Sequence, residues 1–415
     1  MRKRHIGLNA ALSFTLLILM CAAGPAAGAD YYVSPTGSIS NSGTEASPWR
    51  TINHGVSQAS AGDTIWVMDD DIDATDDYTE EVLVDKSLTI QAYDNDGTHP
   101  RIKSPYTVRA VILVEADNVT LRGLDVYGAT GGFGVGIQVS RYVGISANPV
   151  YNVVIEDCRA GWDASHYNKI GIYLRRLNGG RVSGCTASYN EETGILVQPI
   201  PADSSNLEIL NNTASHNDLY GINLDYSANG NTVRGNTAES NHMDCLYLYY
   251  SDNNLIEDNV FALSELKSGI RLTNESDGNT LKGNTSTGNW KYGIELANSD
   301  NNRLYRNEFQ GDLGAVDSST STGNIWASPT AEKYLYVGAT YTSVLGNYYA
   351  DYIGSDVDGD GIGDTAHDFV APETQDDNPL MEPLANYGFD SVAMFADGFE
   401  SGNTNAWSDV VGMSP

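Results

Sequence analysis

Asp356, Asp358 and Asp360 alternate along the run DVDGDGIGD, which continues through Gly361, Ile362 and Asp364. Alternate carboxylates offer hard oxygen ligands to one centre, a glycine permits the sharp turn, and Ile362 can add its carbonyl. That is the chemistry of calcium binding, with Asp356, Asp358, Asp360, Ile362 and Asp364 as the ligands. The twelfth position of the pattern holds His367 instead of a bidentate glutamate, so Asp364, or Asp351 or Asp368 nearby, would have to close the shell. The competing reading is a solvated acidic turn. A structural ion is expected here, stapling a loop of low apolar content over the end of the fold. Softer metal chemistry has less to work with. Copper(I) prefers Cys, Met and His, and only His242-Met243-Asp244-Cys245, with His216 one repeat earlier, groups them. That grouping reads more readily as chance than as a copper site.

A second set of reactive residues depends on a repeat. A phrase close to Gly-Ile-Xaa-Leu recurs as GIQV (136–139), GIYL (171–174), GILV (194–197), GINL (221–224), CLYL (245–248), GIRL (269–272) and GIEL (293–296), with steps of 23, 27, 24, 24 and 24 residues from Gly171 onward. Between these runs a second phrase, in forms such as NTVRGNTA (231–238) and NTLKGNTS (279–286). In each Gly-Ile copy the aliphatic pair shares one parity, so period-two alternation sends it inward and its neighbours outward. The outward residues form two columns. One runs Gln138, Tyr173, Leu196, Asn223, Tyr247, Arg271, Glu295; the other runs Ser140, Arg175, Gln198, Asp225, Tyr249, Thr273, Ala297. Tyrosine faces stack on sugar rings and amides or charges bond hydroxyls, so Tyr173, Asn223, Asp225, Tyr247, Tyr249, Arg271 and Glu295 are the expected ligands of an extended glycan. An ordinary solvated strand face is the competing reading. A lyase acting there would need a base and a partner for a uronate, for which Lys169, Arg175, Asp225 and Arg271 are candidates. A glycosidase needs two carboxylates at a set separation, and Asp225 and Glu295 lie three coils apart, about 14 Å, which is too far.

The elements that must position these residues follow from the fixed period, which marks a solenoid. Strands of three to five residues cannot stand alone; stacked at about 4.8 Å they form continuous parallel sheets around an aliphatic core. The expected fold is therefore all-β: a right-handed parallel β-helix with an N-terminal capping helix and a C-terminal calcium-loop segment. The second phrase aligns Cys158, Cys185, Asn212, Asn236, Asn259, Asn284 and Asn307 at one position, an internal ladder in which side-chain amides bond up and down the column. Neighbouring coils bring Cys158 and Cys185 within disulfide range, as a bond or as two stacked thiols.

Residues 31–67 resemble the opening of many secreted right-handed β-helix proteins, polysaccharide lyases among them. Within them, Thr51 to Ser60 can form a short helix with Ile52, Val56 and Ala59 on one face, covering the open edge of the first coil. Residues 324–387 are similar to the C-terminal segment of the NosD-type (periplasmic copper-binding) β-helix family, on the motifs LGNYYADY (345–352), GSDVDGDGIGDT (354–365) and DDNPLM (376–381). With the Asn-rich coils the resemblance covers about residues 118–387. It implies a pectate-lyase-like superfamily fold, and a copper-accessory role is one function it raises. Similar repeats and tails also occur in surface, carbohydrate-binding and sugar-hydrolysing proteins.

Bulk properties bound the rest. Arg2, Lys3 and Arg4, the apolar stretch Leu8 to Ala23 and the small residues Ala27-Gly28-Ala29 make a secretory signal cleaved after Ala29. Its loss would take the formal charge from −31 to −34. So acidic a chain repels phosphate backbones, which excludes nucleic acid as a partner. No later stretch is apolar enough to span a membrane. The expected organisation is a signal at 1–29, a cap at 30–62, the β-helix at 63–325, the C-terminal segment at 326–390 and a short tail at 391–415, in a secreted, periplasmic or cell-surface monomer.

Overall fold

The computed structural model describes residues 28–69, 77–93, 98–106, 109–141, 148–199, 206–311, 314–318, 320–369 and 375–389. Most of the expected signal and the whole of the expected tail lie outside these residues.

Most coils contribute three short strands, as in Thr232–Arg234, Thr237–Glu239 and Leu246–Tyr249, followed by Leu255–Glu257, Val260–Ala262 and Ile270–Thr273. Like strands of successive coils pair in parallel: Val233 lies beside Ile256, Ala238 beside Phe261 and Leu246 beside Ile270, and the register shifts between Ser286 and Asn289. Among the described residues one sheet has 11 strands and a second has 10. A third runs as groups of 4 and 5 strands, linked by single bridges at Thr186 and Thr213. The chain is thus a parallel β-helix. Its core is the column of inward residues the alternation marks, with Val233, Ile256, Leu281, Ile222, Ile270 and Ile294 all fully buried.

The corners are polar and hydrogen-bonded along ladders, with the Asn302 side-chain nitrogen left without a partner among the described residues at the end of one of them. The Asn212 amide donates to Asn236 Oδ1 at 2.9 Å, and the chain continues through Asn259, Asn284 and Asn307 to Asn347. Each amide also donates to a core-side carbonyl, such as Asn259 to Val233 O at 2.9 Å. Backbone groups at a buried corner are thereby satisfied. Two further ladders lie at other corners: Asn190, Asn217 and Asn241, and Asn231, Asn254, Asn279 and Asn302. Just before the first ladder the backbone enters the left-handed region, at Gly235, Asp258, Gly283 and Arg306. Cys158 and Cys185 begin that column as buried free thiols; the disulfide alternative is not what forms. The Cys185 N–H donates to Asn212 Oδ1 at 2.9 Å.

At the N-terminal end the helix Ile52–Gln58 buries Ile52, Gly55 and Val56. Thr51 Oγ1 accepts the His54 N–H, and Glu80 accepts the N–H groups of Ile52 and Asn53 at 2.8 and 2.9 Å, so the free donors of the first turn are met. At the other end Glu332–Tyr336, Ala339–Ser343 and Tyr387–Phe389 form an antiparallel sheet over a separate cluster of Tyr334, Leu345, Ile362, Leu380 and Tyr387. Among the described residues no helix is long and apolar enough to cross a membrane.

Candidate functional site

The ten-stranded sheet places the expected first column in register: Gln138, Tyr173, Leu196, Asn223, Tyr247, Arg271 and Glu295 are successive partners. Leu83 and Leu113 extend it toward the N-terminus. The second column is in register over Asp225, Tyr249, Thr273 and Ala297.

Position on the outer face does not make a residue available. Tyr247 is stacked on Tyr220 of the coil before it (4.7 Å, 12°), and the Arg271 guanidinium of the coil after it sits 4.8 Å from the ring centroid. Both ring faces are covered, which leaves no platform for a sugar. Arg271 is spent in the same network, 3.7 Å from the buried carboxylate of Asp244. Burial pushes the Asp244 carboxyl up to about 7. Glu295 accepts Ser268 Oγ at 3.1 Å and Lys291 Nζ at 2.9 Å. Asn223, Ser140, Leu196 and Thr273 are buried, so they do not belong to a binding surface. Tyr249 meets Tyr226 and Tyr250 edge-on at 5.0 and 4.6 Å, in a patch whose outer rings are exposed.

The open part of the face lies at the other end. A cavity of about 490 Å³ is lined by Phe133, Val135, Gln138, Ile170, Tyr173, Arg175 and Gln198. A second of about 370 Å³ adjoins it, sharing Phe133 and Gln138 and bounded by Leu83, Leu113, Glu81 and Arg109. Phe133, 90% exposed, stands over both. Gln198 bridges the polar side of the groove: its Oε1 accepts the Tyr173 hydroxyl at 2.5 Å and its Nε2 donates to Asp225 Oδ2 at 2.8 Å. Burial raises the carboxyl of Asp225 and the phenol of Tyr173 above their ordinary values. The Arg175 guanidinium faces the groove with no carboxylate partner among the described residues. Of the four candidate lyase residues, Lys169 is paired with Glu192 at 3.3 Å, Asp225 is held by Gln198 and Arg271 by Asp244. They do not converge on one point. Phe133 itself was missed from sequence because it breaks no period. Its signal was an isolated aromatic in the glycine-rich TGGFG, where a large apolar ring has nothing local to pack on.

At the C-terminal end the Asp356, Asp358 and Asp360 carboxylates converge, with ligand oxygens all within 4.8 Å of one another. Asp356 accepts the N–H groups of Gly359, Asp360 and Gly361. Asp364 accepts the N–H of Val357, the residue between Asp356 and Asp358, at 2.6 Å. Ile362 is buried in the C-terminal cluster and bridges Leu380. Asp351 faces His367 at 3.5 Å instead of the triad. Burial, then repulsion from Asp358 and Asp356, pushes the Asp360 carboxyl up, a strain that a cation would relieve. Oxygen donors of this kind fit a hard cation and not copper. The softer donors do not assemble. Cys245 is fully buried, its thiol pushed up to about 12 by burial, while His242 pairs with Glu265 and His216 stacks on Tyr189.

Residues 134–354, more than half of the chain, match the family described as periplasmic copper-binding protein (NosD). A search among curated proteins found no match. Among solved structures, GH136 lacto-N-biosidase from Eubacterium ramulus aligns at 14% identity over 71% of this chain and 67% of that one, with a TM-score of 0.47. The Dettilon tailspike protein (gp208) aligns at 14% over 71% and 59%, with a TM-score of 0.47. Pectate lyase Pel9A aligns at 14% over 71% and 76%, with a TM-score of 0.42.

Proposed function

This chain belongs to the NosD family of parallel β-helix proteins, and on that premise we propose that it is an exported monomer that binds an extended carbohydrate in the groove beneath Phe133. In this reading residues 1–29 direct export, residues 30–62 and 326–390 close the two ends of the helix, and calcium held by Asp356, Asp358 and Asp360 braces the C-terminal end. The observation that carries the binding is an almost fully exposed phenylalanine standing over two adjoining cavities with amides, a phenol and an arginine along them. With the exposed Leu83 in the adjoining cavity the ring makes a contiguous apolar patch rimmed by polar groups, the kind of surface that marks a binding site. A groove that pairs aromatic faces with a few polar groups suits sugar rings edged by hydroxyls. Tyr173, Arg175 and Gln198 supply the polar contacts; Tyr249 with Tyr226 and Tyr250 offers a further contact along the same face.

The family's copper finds no matching donor set among the described residues, so no copper chemistry is assigned to this chain. Nor is the groove assigned catalysis, because Lys169, Asp225 and Arg271 are each engaged by a neighbouring side chain and Arg175 alone of the four candidates stands free among the described residues. The test is binding of the purified chain to a polysaccharide panel, with Phe133→Ala and Arg175→Gln beside it. At least one glycan should bind, and Phe133→Ala should weaken it about tenfold or more, the worth of one well-placed aromatic contact. Binding to no glycan on the panel would overturn the proposal.

A further inference from the structure

The third sheet carries another cluster of reactive side chains, away from the groove. Its strand Asp125–Tyr127 lies between Arg101–Lys103 and Arg159–Ala160, which sets Arg101 beside Asp125, Lys103 beside Tyr127 and Arg159 beside Asp125. Most of the charge there is neutralised in pairs. Asp125, fully buried, accepts two hydrogen bonds from the Arg159 guanidinium and lies 3.0 Å from His99 Nδ1. Asp77 faces Arg101 at 3.1 Å and accepts the Tyr127 hydroxyl.

Two groups remain after this pairing. The turn Trp162–His166 closes on itself, with Trp162 N–H donating to His166 O at 2.9 Å. Asp163 accepts the N–H groups of Ser165 and His166, and both its oxygens lie 3.0 Å from His166 Nδ1. A carboxylate there fixes the proton on Nδ1 and leaves Nε2 as the basic nitrogen. Nε2 has no hydrogen-bond partner among the described residues. The imidazole is stacked on Trp162 (4.7 Å, 12°) and set edge-on to Tyr127 (4.9 Å), and so is held in one orientation. The second group is Lys103, exposed, its ammonium 5.7 Å from the centroid of the same Tyr127 ring and without a carboxylate partner. An oriented base and an unpaired cation therefore flank one buried ring.

We infer that His166 and Lys103 form a proton-transfer site acting on a uronic acid residue. Lys103 pairs with the sugar carboxylate, and His166 Nε2 removes the proton from C5, the carbon next to it. The C5–H bond breaks, its electron pair passes into the carboxylate as an enediolate, and the proton rests on the imidazole. Either the proton returns to C5, or the C4–O bond breaks, a C4=C5 double bond forms and the imidazolium protonates the departing oxygen. Both outcomes balance with no added oxidant or reductant. A carboxylate is required because it alone among common sugar substituents both acidifies the adjacent C–H and matches the free ammonium. Asp163 is a positioning residue that holds the tautomer. The sugar class rests on the carbohydrate reading above; the proton transfer does not use the groove.

The experiment incubates the full chain with oligomers of galacturonate, mannuronate and guluronate in deuterated water and follows C5 by mass spectrometry and NMR. Deuterium at C5 or an unsaturated end supports the site. The rate should fall about 100-fold or more in His166→Gln. It should also fall in Asp163→Asn with affinity unchanged, and in Lys103→Met with partial recovery in Lys103→Arg. Lys103 is exposed, so its variants test the site even if His166→Gln perturbs the turn. Absence of exchange and of unsaturation in all three polymers, or exchange unaffected by Lys103→Met and His166→Gln, would overturn it. Glycan binding lost in Phe133→Ala but without exchange would leave the groove standing and remove only this site.

Discussion

Asp376 ends the first asparagine ladder, and its chemistry there makes a measurable pH effect. It is fully buried; one oxygen accepts from Asn347 N–H at 2.9 Å, Asn347 Nδ2 at 3.3 Å and the Tyr349 hydroxyl at 2.9 Å, and the other accepts the Asn378 N–H at 2.9 Å. No cation is paired with it among the described residues. Burial pushes its carboxyl from 3.8 up to about 6, against the pull of those four donors. An acid whose folded value is raised binds its proton more tightly when folded. Its contribution to stability is therefore full below about pH 4 and is lost as the pH rises through about 6. For this one group, linkage gives on the order of 1 kcal/mol more stability at pH 5 than at pH 7.5. Asp376→Asn removes that term. The amide keeps the ladder contacts but turns a donor toward the Asn378 N–H, an unmet pair costing about 1–3 kcal/mol. Absolute stability is therefore not the diagnostic quantity; the pH dependence is. Urea unfolding followed by circular dichroism at pH 5, 6 and 7.5 should show the gain toward pH 5 smaller in Asp376→Asn than in the parent by about 1 kcal/mol. Asp244, raised to about 7, adds a slope common to both proteins and cancels from the comparison. Identical pH dependence in the two would refute the reasoning.

Three further outcomes follow from the same structure. Asn259→Ala removes two donations and two acceptances and strands the Asn236 N–H. At about 1–3 kcal/mol for a stranded group the loss is at least about 1–3 kcal/mol, read from urea unfolding and from faster hydrogen exchange in the flanking coils. Gly283→Ala forces a side chain into the left-handed region at φ 66, where its Cβ would lie 2.2 Å from Asp258 Oδ1. It should destabilise by at least about 1–2 kcal/mol in the same assay. Calcium at one hundred times its dissociation constant should stabilise the chain by about 2.7 kcal/mol, seen as a rise in Tm that chelator reverses and Asp358→Asn diminishes.

The parallel β-helix was legible because its two causes are both written along the chain: inward aliphatic parity at Ile222, Leu246 and Ile270, and a fixed step between copies. The Asn212–Asn307 ladder was readable for the same reason. The ladders through Asn217 and Asn254 were written just as plainly, since they flank the first at a constant spacing (Asn212 with Asn217, Asn236 with Asn241, Asn254 with Asn259, Asn279 with Asn284), but an asparagine beside a turn reads by itself as a turn former and not as a rung. The sugar-binding face was only half legible. Period-two alternation says which way Tyr247 points, but not that Tyr220 and Arg271 close over its ring. Arg175 and Tyr173 stay on the open groove because the next contact comes from Phe133, on a loop outside the repeat. Parity gives direction, whereas availability is decided by side chains of the adjacent coils and loops. Three aspartates close in sequence could be read directly, since alternation alone brings Asp356, Asp358 and Asp360 together.

The most direct test of the binding account is a crystal structure of the chain with the oligosaccharide that binds it best. The account places a sugar ring under Phe133, with its hydroxyls or carboxylate reaching Arg175, Gln198 and Tyr173. A sugar bound only elsewhere on the helix, with the space beneath Phe133 holding solvent, would contradict it.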